Sequence, residues 1–202
     1  MPSPTTTPTL VDRRRDEIID AAAHVFGEKG YHEAGIADIA ARLGVGHGTF
    51  YRYFKSKRDI ANTAFDRAVE LVAATMLDED PGVSATLDEY RAQVGRILGR
   101  LLDLFDEQPA MMRFFQRQML DVERLGAALD GFAAYTAMFI QNGVDRGFLR
   151  PAIDVRLAAQ SLVAVLFDIT RRAAAEPFDA QTKQALLSNA VDLMFFGLAQ
   201  PG

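Results

Sequence analysis

The sequence predicts an all-α protein in two parts, a small N-terminal part built on a helix-turn-helix and a larger helical C-terminal part. Three observations support this. Apolar residues recur at helical spacing in every long segment, Ala, Leu, Arg and Glu dominate, and strand alternation is lacking. Pro109 and Pro177 fall where those segments stop or start rather than inside them. Residues 36–54 hold two short helical segments around a Gly44-Val45-Gly46-His47 turn. A length of 202 residues suits one or two domains with a sizeable core.

Residues 1–11 are Pro/Thr-rich, carry no apolar run of a secretory signal, and read as a flexible arm. The first helix is expected over 12–28, where Ile18, Ala22 and Phe26 form one apolar face, and Gly30 follows it as a cap. Short helices at 36–43 and 48–54 complete a helix-turn-helix part over residues 12–58. Ser56 is placed to cap a linking helix, residues 56–79, which runs through Ala61, Phe65 and Val69 into the Asp78-Glu79-Asp80-Pro81-Gly82 break. Residues 80–202 form the second part, with helices expected over 84–107, 109–120, 121–146, 153–175 and 179–199. Gln108-Pro109, Arg146-Gly147 with Pro151, and Glu176-Pro177 punctuate them.

A net charge of −5 argues at first against a nucleic-acid partner, but the charge is unevenly placed. Residues 1–58 carry +2 and residues 59–202 carry −7. No acid lies between Asp38 and Asp59, an interval that holds Arg42, Arg52, Lys55, Lys57 and Arg58. A local basic cluster on an acidic chain fits a DNA footprint as well as it fits a solvated surface. The absence of cysteine excludes disulfides and thiolate metal sites and accords with a reducing cytoplasm. No apolar run reaches the roughly 20 residues that span a bilayer.

In the helix-turn-helix, Ile36, Ile39, Ala40 and Leu43 offer an apolar face. Small Ala40 permits close approach, Gly44 permits the turn, and Val45 plugs the angle between the helices. Such a turn sets the second helix steeply enough to enter a major groove. At 100° per residue, Phe50 and Phe54 point inward, while Gly48 with Arg52 and Thr49 with Tyr53 face the groove. Tyr51 lies on the flank, within reach of a phosphate. Gly46, His47 and Gly48 open the helix, where backbone N–H groups favour phosphate, and Lys55, Lys57 and Arg58 add charge along the DNA backbone. Taken alone, Tyr51 and Tyr53 read as half-buried rings with wet hydroxyls and His47 as an exposed turn residue. Within the motif all three read as DNA contacts.

The stretch from Arg14 to Phe65 resembles the DNA-binding domain of the tetracycline-repressor (TetR) family. The resemblance rests on Ile18-Ile19-Asp20-Ala21-Ala22, Val25-Phe26, Lys29-Gly30-Tyr31, Ile39-Ala40, Leu43-Gly44-Val45, Gly48-Thr49-Phe50-Tyr51, Tyr53-Phe54 and Lys55-Ser56-Lys57. It implies a homodimer with two recognition helices, a palindromic double-stranded operator, and a C-terminal domain whose small-molecule ligand releases the DNA. It also carries the family's DNA contacts onto His47, Gly48, Thr49, Tyr51, Arg52, Tyr53 and Lys57. Gly35 and Gly46 stand where a Ser or Thr cap is common, Ala37 where some members place a base-reading Arg, and His47 where Lys, Arg, Pro or Gln is frequent. These departures bear on the operator sequence, not the fold.

The C-terminal part has no comparable motif. Its aromatic and Met residues suit either a core or an apolar ligand pocket, and the resemblance favours a pocket lined by Met112, Phe115, Met119, Phe132, Tyr135, Met138, Phe139 and Phe167. Asp168 and Arg171 either orient the ligand or pair with each other at the surface. Leu162, Val165, Leu166 and Ile169, with Leu187, Val191 and Met194, recur at helical spacing on the last two helices and are the expected dimer interface. His24, His32 and His47 all lie in the first quarter, no Gly-rich phosphate loop or metal-ligand spacing occurs, and neither a cofactor nor an enzyme activity is expected. Two rival readings are a helical lipid- or drug-binding protein that lacks specific DNA binding, and an activator or architectural binder indifferent to ligand.

Overall fold

The computed structural model describes residues 9–117, 122–175 and 178–198. Among them run α1 (Leu10–Lys29), α2 (Ile36–Leu43), α3 (His47–Phe50), α4 (Lys57–Leu77), α5 (Leu87–Glu107), α6 (Pro109–Gln116), α7 (Val122–Asp145), α8 (Val155–Ala175) and α9 (Ala180–Leu198). They form two compact units. The first joins residues up to Ala68 with Ala110–Arg117, and the second takes Val69–Pro109 and the described residues from 122 onward. The division therefore falls inside α4, not at the acidic turn after it, and α6 groups with the N-terminal helices.

In the first unit, α1 starts two residues earlier than its apolar pattern suggests. The Thr9 hydroxyl accepts the Asp12 N–H at 3.2 Å and the Asp12 carboxylate accepts the Thr9 N–H at 2.9 Å, so helix replaces the end of the expected arm. Ile18, Ala22 and Phe26 are buried, as their spacing predicts. α6 lies directly on α1. Its Phe114 ring sits 5.5 Å from that of Phe26, and the Arg117 guanidinium donates to the Gly27 carbonyl at 2.9 Å. A Cβ on Gly27 would stand 2.9 Å from the Ala110 carbonyl oxygen, so this contact needs a glycine. Phe115 stacks on Phe65 of α4 at 5.6 Å.

In the second unit α7 packs along α8, and α5 packs on α9 and α8. Tyr90 is almost fully buried and donates to the Phe139 carbonyl at 2.8 Å. Burial pushes this phenol far above its ordinary range. The turn after α4 is pinned from several sides. Glu79 accepts from Arg96 at 2.9 Å and Arg100 at 3.1 Å, which hold its carboxyl down to about 2. Gln93 donates to the Asp80 carbonyl, Tyr135 to that of Glu79, and Arg146 to that of Gly82. Ser84 is buried on Gln93, so α5 begins later than expected, at Leu87, with Thr86 accepting the Glu89 N–H. Asp154 and Asp179 cap α8 and α9 in the same way through Leu157 and Thr182.

Candidate nucleic-acid interface

The interface is built from its buried side outward. α2 is held at its start by Asp38, whose carboxylate accepts the Gly35 N–H at 2.8 Å and pairs with Lys29 at 2.7 Å. Lys29 and the Gly35 amide together draw its pKa below the usual carboxylate range. Gly35 has no hydroxyl to accept the Asp38 N–H, which bonds to the Gly35 carbonyl at 3.1 Å instead, so the carboxylate supplies only the reciprocal half of a capping box. α2 ends on Gly44, whose φ of 66° is left-handed and suits glycine. Gly44 bonds back to Ala41, and Val45 to Ala40. Ile39, Ala40, Phe50 and Phe54 are buried, and the last two rings meet at 5.8 Å. The inward role assigned to Phe50 and Phe54 from spacing is what the structure shows.

The second motif helix is shorter than its pattern suggests. α3 covers His47–Phe50, and Tyr51 to Phe54 continue as a tighter turn with bonds from Arg52 to Thr49 and Tyr53 to Phe50. Gly48 and Thr49 are weak helix formers and Gly46 supplies no capping side chain, which accounts for the early end. The sidedness is nonetheless kept. Gly46, His47, Gly48, Tyr51, Arg52 and Lys55 are exposed, and Thr49 and Tyr53 are half-buried. Tyr51 is 56% exposed, and its ring stacks on His47 with 6° between the planes. No ion pair among the described residues engages Arg52, Lys55 or Arg58, so this face keeps its positive charge for a partner. Below it, Ser56 accepts the Asp59 N–H and Asp59 accepts the Lys55 N–H, capping α4 as expected.

Lys57, expected at a DNA phosphate, opens α4 and is half-buried. Its ammonium donates to the Ala34 carbonyl at 2.6 Å and the His32 carbonyl at 3.2 Å, and it lies 4.5 Å from the centre of the Tyr31 ring.

The expected ligand residues do not form one group. Met112 and Phe115 are buried in the first unit with α1 and α4, so α6 does not carry them into the second. Met119 lies outside the described residues. Phe132 and Phe139 are buried on α7, Tyr135 is half-buried with its hydroxyl on backbone carbonyls, Met138 is exposed, and Phe167 is half-buried on α8. Arg171 is turned to Asp168 at 2.7 Å, the surface pairing of the two readings offered by the sequence. The second unit instead presents a partly open apolar crevice of about 20 Å³, room for about one water, among α5, α8 and α9. Leu98, Leu101, Leu102, Leu186 and Ala190 line it, together with Leu166, Ile169 and Leu187 from the expected dimer set. The i, i+3, i+4 spacing of the three α5 leucines was the signal available for them. Of the remaining dimer set, Val165 is exposed, Leu162 and Met194 are half-buried, and Val191 reaches toward Gly95 of α5.

The pattern of the "Bacterial regulatory proteins, tetR family" matches residues 18–64. The "Fatty acid metabolism regulator protein" of Bacillus subtilis is 30% identical over 155 residues, which cover 74% of this chain and 78% of that protein. The chain belongs to the TetR family. It is a DNA-binding transcriptional regulator, and residues 18–64 of this TetR-family chain lie within its first unit. The fold agrees over almost its whole length. The fatty acid degradation regulator FadR of Bacillus halodurans aligns with a TM-score of 0.77 at 20% identity, over 95% of this chain and 97% of that one. FadR of Bacillus subtilis, solved in complex with stearoyl-CoA, aligns with a TM-score of 0.72 at 25% identity, over 90% and 98%. No helix among the described residues is long and apolar enough to cross a membrane.

Proposed function

We propose that this regulator is a cytoplasmic homodimeric repressor that occupies a palindromic operator and is released from it by a fatty acyl ligand, of which acyl-CoA is the first candidate. The observation that carries the DNA reading is the face of exposed Gly46, His47, Gly48, Tyr51, Arg52 and Lys55 and half-buried Thr49 and Tyr53, set on a buried Phe50–Phe54 base, with no ion pair among the described residues at Arg52, Lys55 or Arg58. Arg52 has the reach and charge to read a guanine edge, and Tyr51 and Lys55 suit phosphates. One such short segment reads too few bases, so specificity needs two half-sites about 34–36 Å apart and hence two protomers. Leu162 and Val165 of α8, with Met194 of α9, provide apolar surface for that pairing.

The ligand reading draws on the two FadR proteins and on the crevice of the second unit, whose lining is almost wholly hydrocarbon. The crevice itself holds about 20 Å³, so an acyl chain would have to part α5, α8 and α9 to enter it and would leave its charged head group to solvent. α4 passes from the first unit into the second, so a ligand that displaced its C-terminal half would displace the recognition segment's footing. Coupling of about 1–3 kcal/mol would change operator affinity about 5- to 150-fold. No catalytic role is assigned, in keeping with the regulators it resembles.

Selection from a random duplex pool with purified protein, followed by titration of the selected duplex with stearoyl-CoA and with free CoA, tests both parts. Enrichment of an inverted repeat and its release by stearoyl-CoA alone are expected. An absence of any enriched sequence at low salt would reject the DNA part, and equal behaviour with both additives would reject the acyl part.

A further inference from the structure

We infer that the second unit opens along the seam between α5 and α9, and that an acyl chain enters there. The inference rests on the acyl reading above and adds which helices part. α5 and α9 run antiparallel, since Arg91 meets Asp192, Gly95 meets Val191, and Asp103 and Asp106 meet Lys183. Charge closes both ends of this seam. At one end the Lys183 ammonium donates to Asp106 at 2.6 Å and to Asp103 at 2.7 Å. At the other, Arg91 pairs with Asp192 at 3.3 Å, and its guanidinium lies 5.4 Å from the centre of the Phe195 ring. Between the ends α5 has little to grip with. Gly95 and Gly99 stand one turn apart and are both half-buried. Among the described residues, a Cβ on Gly95 would meet only the Val191 Cγ2, at 4.0 Å, and one on Gly99 would meet nothing within 4 Å.

The crevice lies in this thin middle. Leu98 and Leu102 are buried, but Leu101, Leu186, Leu187 and Ala190 are half-buried, so part of the seam's apolar surface already meets water. Parting the helices there exposes less new hydrocarbon than opening a filled core would, and an inserted acyl chain covers it again. α8 is the third wall, but α7 packs along it and holds it in place. The carboxylates of Asp103 and Asp106 face solvent, so their hold on Lys183 is weak enough to yield to a ligand. That hold still opposes opening, and it therefore sets how much ligand is needed. α5 also carries Arg96 and Arg100, which bond to Glu79 and to the Thr75 carbonyl at the end of α4. A shift of α5 away from α9 therefore reaches α4 directly.

The test locks the seam in one full-length variant and loosens it in another. The chain has no cysteine, so Gly95→Cys with Val191→Cys adds a single possible cross-link within a protomer. The 4.0 Å approach at this pair is close to the separation a disulfide spans, about 3.5–4.5 Å between Cβ atoms. The oxidised protein should bind the selected duplex within about twofold of wild type and stay bound at about ten times the stearoyl-CoA that half-releases wild type. Reduction should restore release. Lys183→Met, which frees one end of the seam, should bind stearoyl-CoA about threefold more tightly. Adding Asp103→Asn and Asp106→Asn to it should change nothing further. Without ligand, amide exchange over Lys183–Val191 should quicken in Lys183→Met while exchange in α7 stays as in wild type. Two results would each overturn the inference: release of the oxidised protein at the wild-type concentration of stearoyl-CoA, or a Lys183→Met protein with unchanged affinity and unchanged exchange. Wild type that neither binds nor responds to stearoyl-CoA would sink the acyl reading instead, and the exchange result would still decide whether the seam opens.

Discussion

Gly27→Ala sets two opposing effects against each other. Within a helix, Ala is favoured over Gly by at most about 1 kcal/mol, so local propensity predicts stabilisation. The structure predicts the reverse. The added methyl would lie 2.9 Å from the Ala110 carbonyl oxygen and 3.5 Å from the Phe114 nitrogen, and both are α6 backbone atoms. A side chain could swing aside, but a helix backbone must move as a body by about half an ångström to restore ordinary contact. That movement would strain the Phe26–Phe114 and Phe65–Phe115 ring contacts and the Arg117 bond to the Gly27 carbonyl. Overpacking of this kind costs about 1–3 kcal/mol, which outweighs the propensity gain. The net loss should be about 1 kcal/mol, a fall in Tm of about 2–4 °C for a chain of this size. Gly131, exposed on α7 with nothing within 4 Å of an added Cβ, is the matched control, and Gly131→Ala should raise Tm by a similar amount. Thermal melts followed by circular dichroism, with urea titrations to obtain the free energies, measure both. A Gly27→Ala protein as stable as wild type would show that α6 does not press on α1 as described.

Other outcomes follow from the same contacts. Arg52→Ala should cost about 1–3 kcal/mol on the selected duplex and relax preference at one base position per half-site, whereas Tyr51→Phe should weaken all duplexes alike; competition binding over a set of single-base variants separates the two. Glu79 has a folded pKa lowered to about 2 from an ordinary 4.5 by Arg96 and Arg100, so its stabilisation is complete above about pH 4.5 and is lost as pH falls toward 2. Urea midpoints of wild type and Glu79→Gln should therefore converge over that window, and a constant gap would contradict the pairing. Ala190→Phe, which places a ring in the crevice among α5, α8 and α9, should leave operator affinity within about twofold and abolish release by stearoyl-CoA, as read by fluorescence anisotropy. Unimpaired release would place the acyl chain elsewhere.

The helices and the helix-turn-helix were legible in the sequence because what specifies them is local. Ile18, Ala22 and Phe26 mark their buried face through spacing alone, Gly44 marks the turn because a left-handed φ is cheap only there, and Phe50 and Phe54 are sorted inward from Arg52 by 100° per residue. Even the Thr9-x-x-Asp12 box was present to be read, although the Pro/Thr composition around it pointed to an arm.

What only the tertiary structure decided depends on contacts between residues far apart in the chain. Periodicity says that α6 has an apolar face but not which unit that face joins; the Arg117–Gly27 bond, across 90 residues, and the Phe115–Phe65 stack put it in the first. An apolar residue at the right spacing is equally suited to a core, a ligand or a partner, so the spacing of Leu166, Ile169 and Leu187 could not show that α5 leucines share a crevice with them. A lysine beside a recognition helix is equally suited to a phosphate or to a neighbouring carbonyl. Sequence fixes the chemistry of Lys57 and its face, whereas the carbonyls of His32 and Ala34 come within its reach only once the chain has folded back.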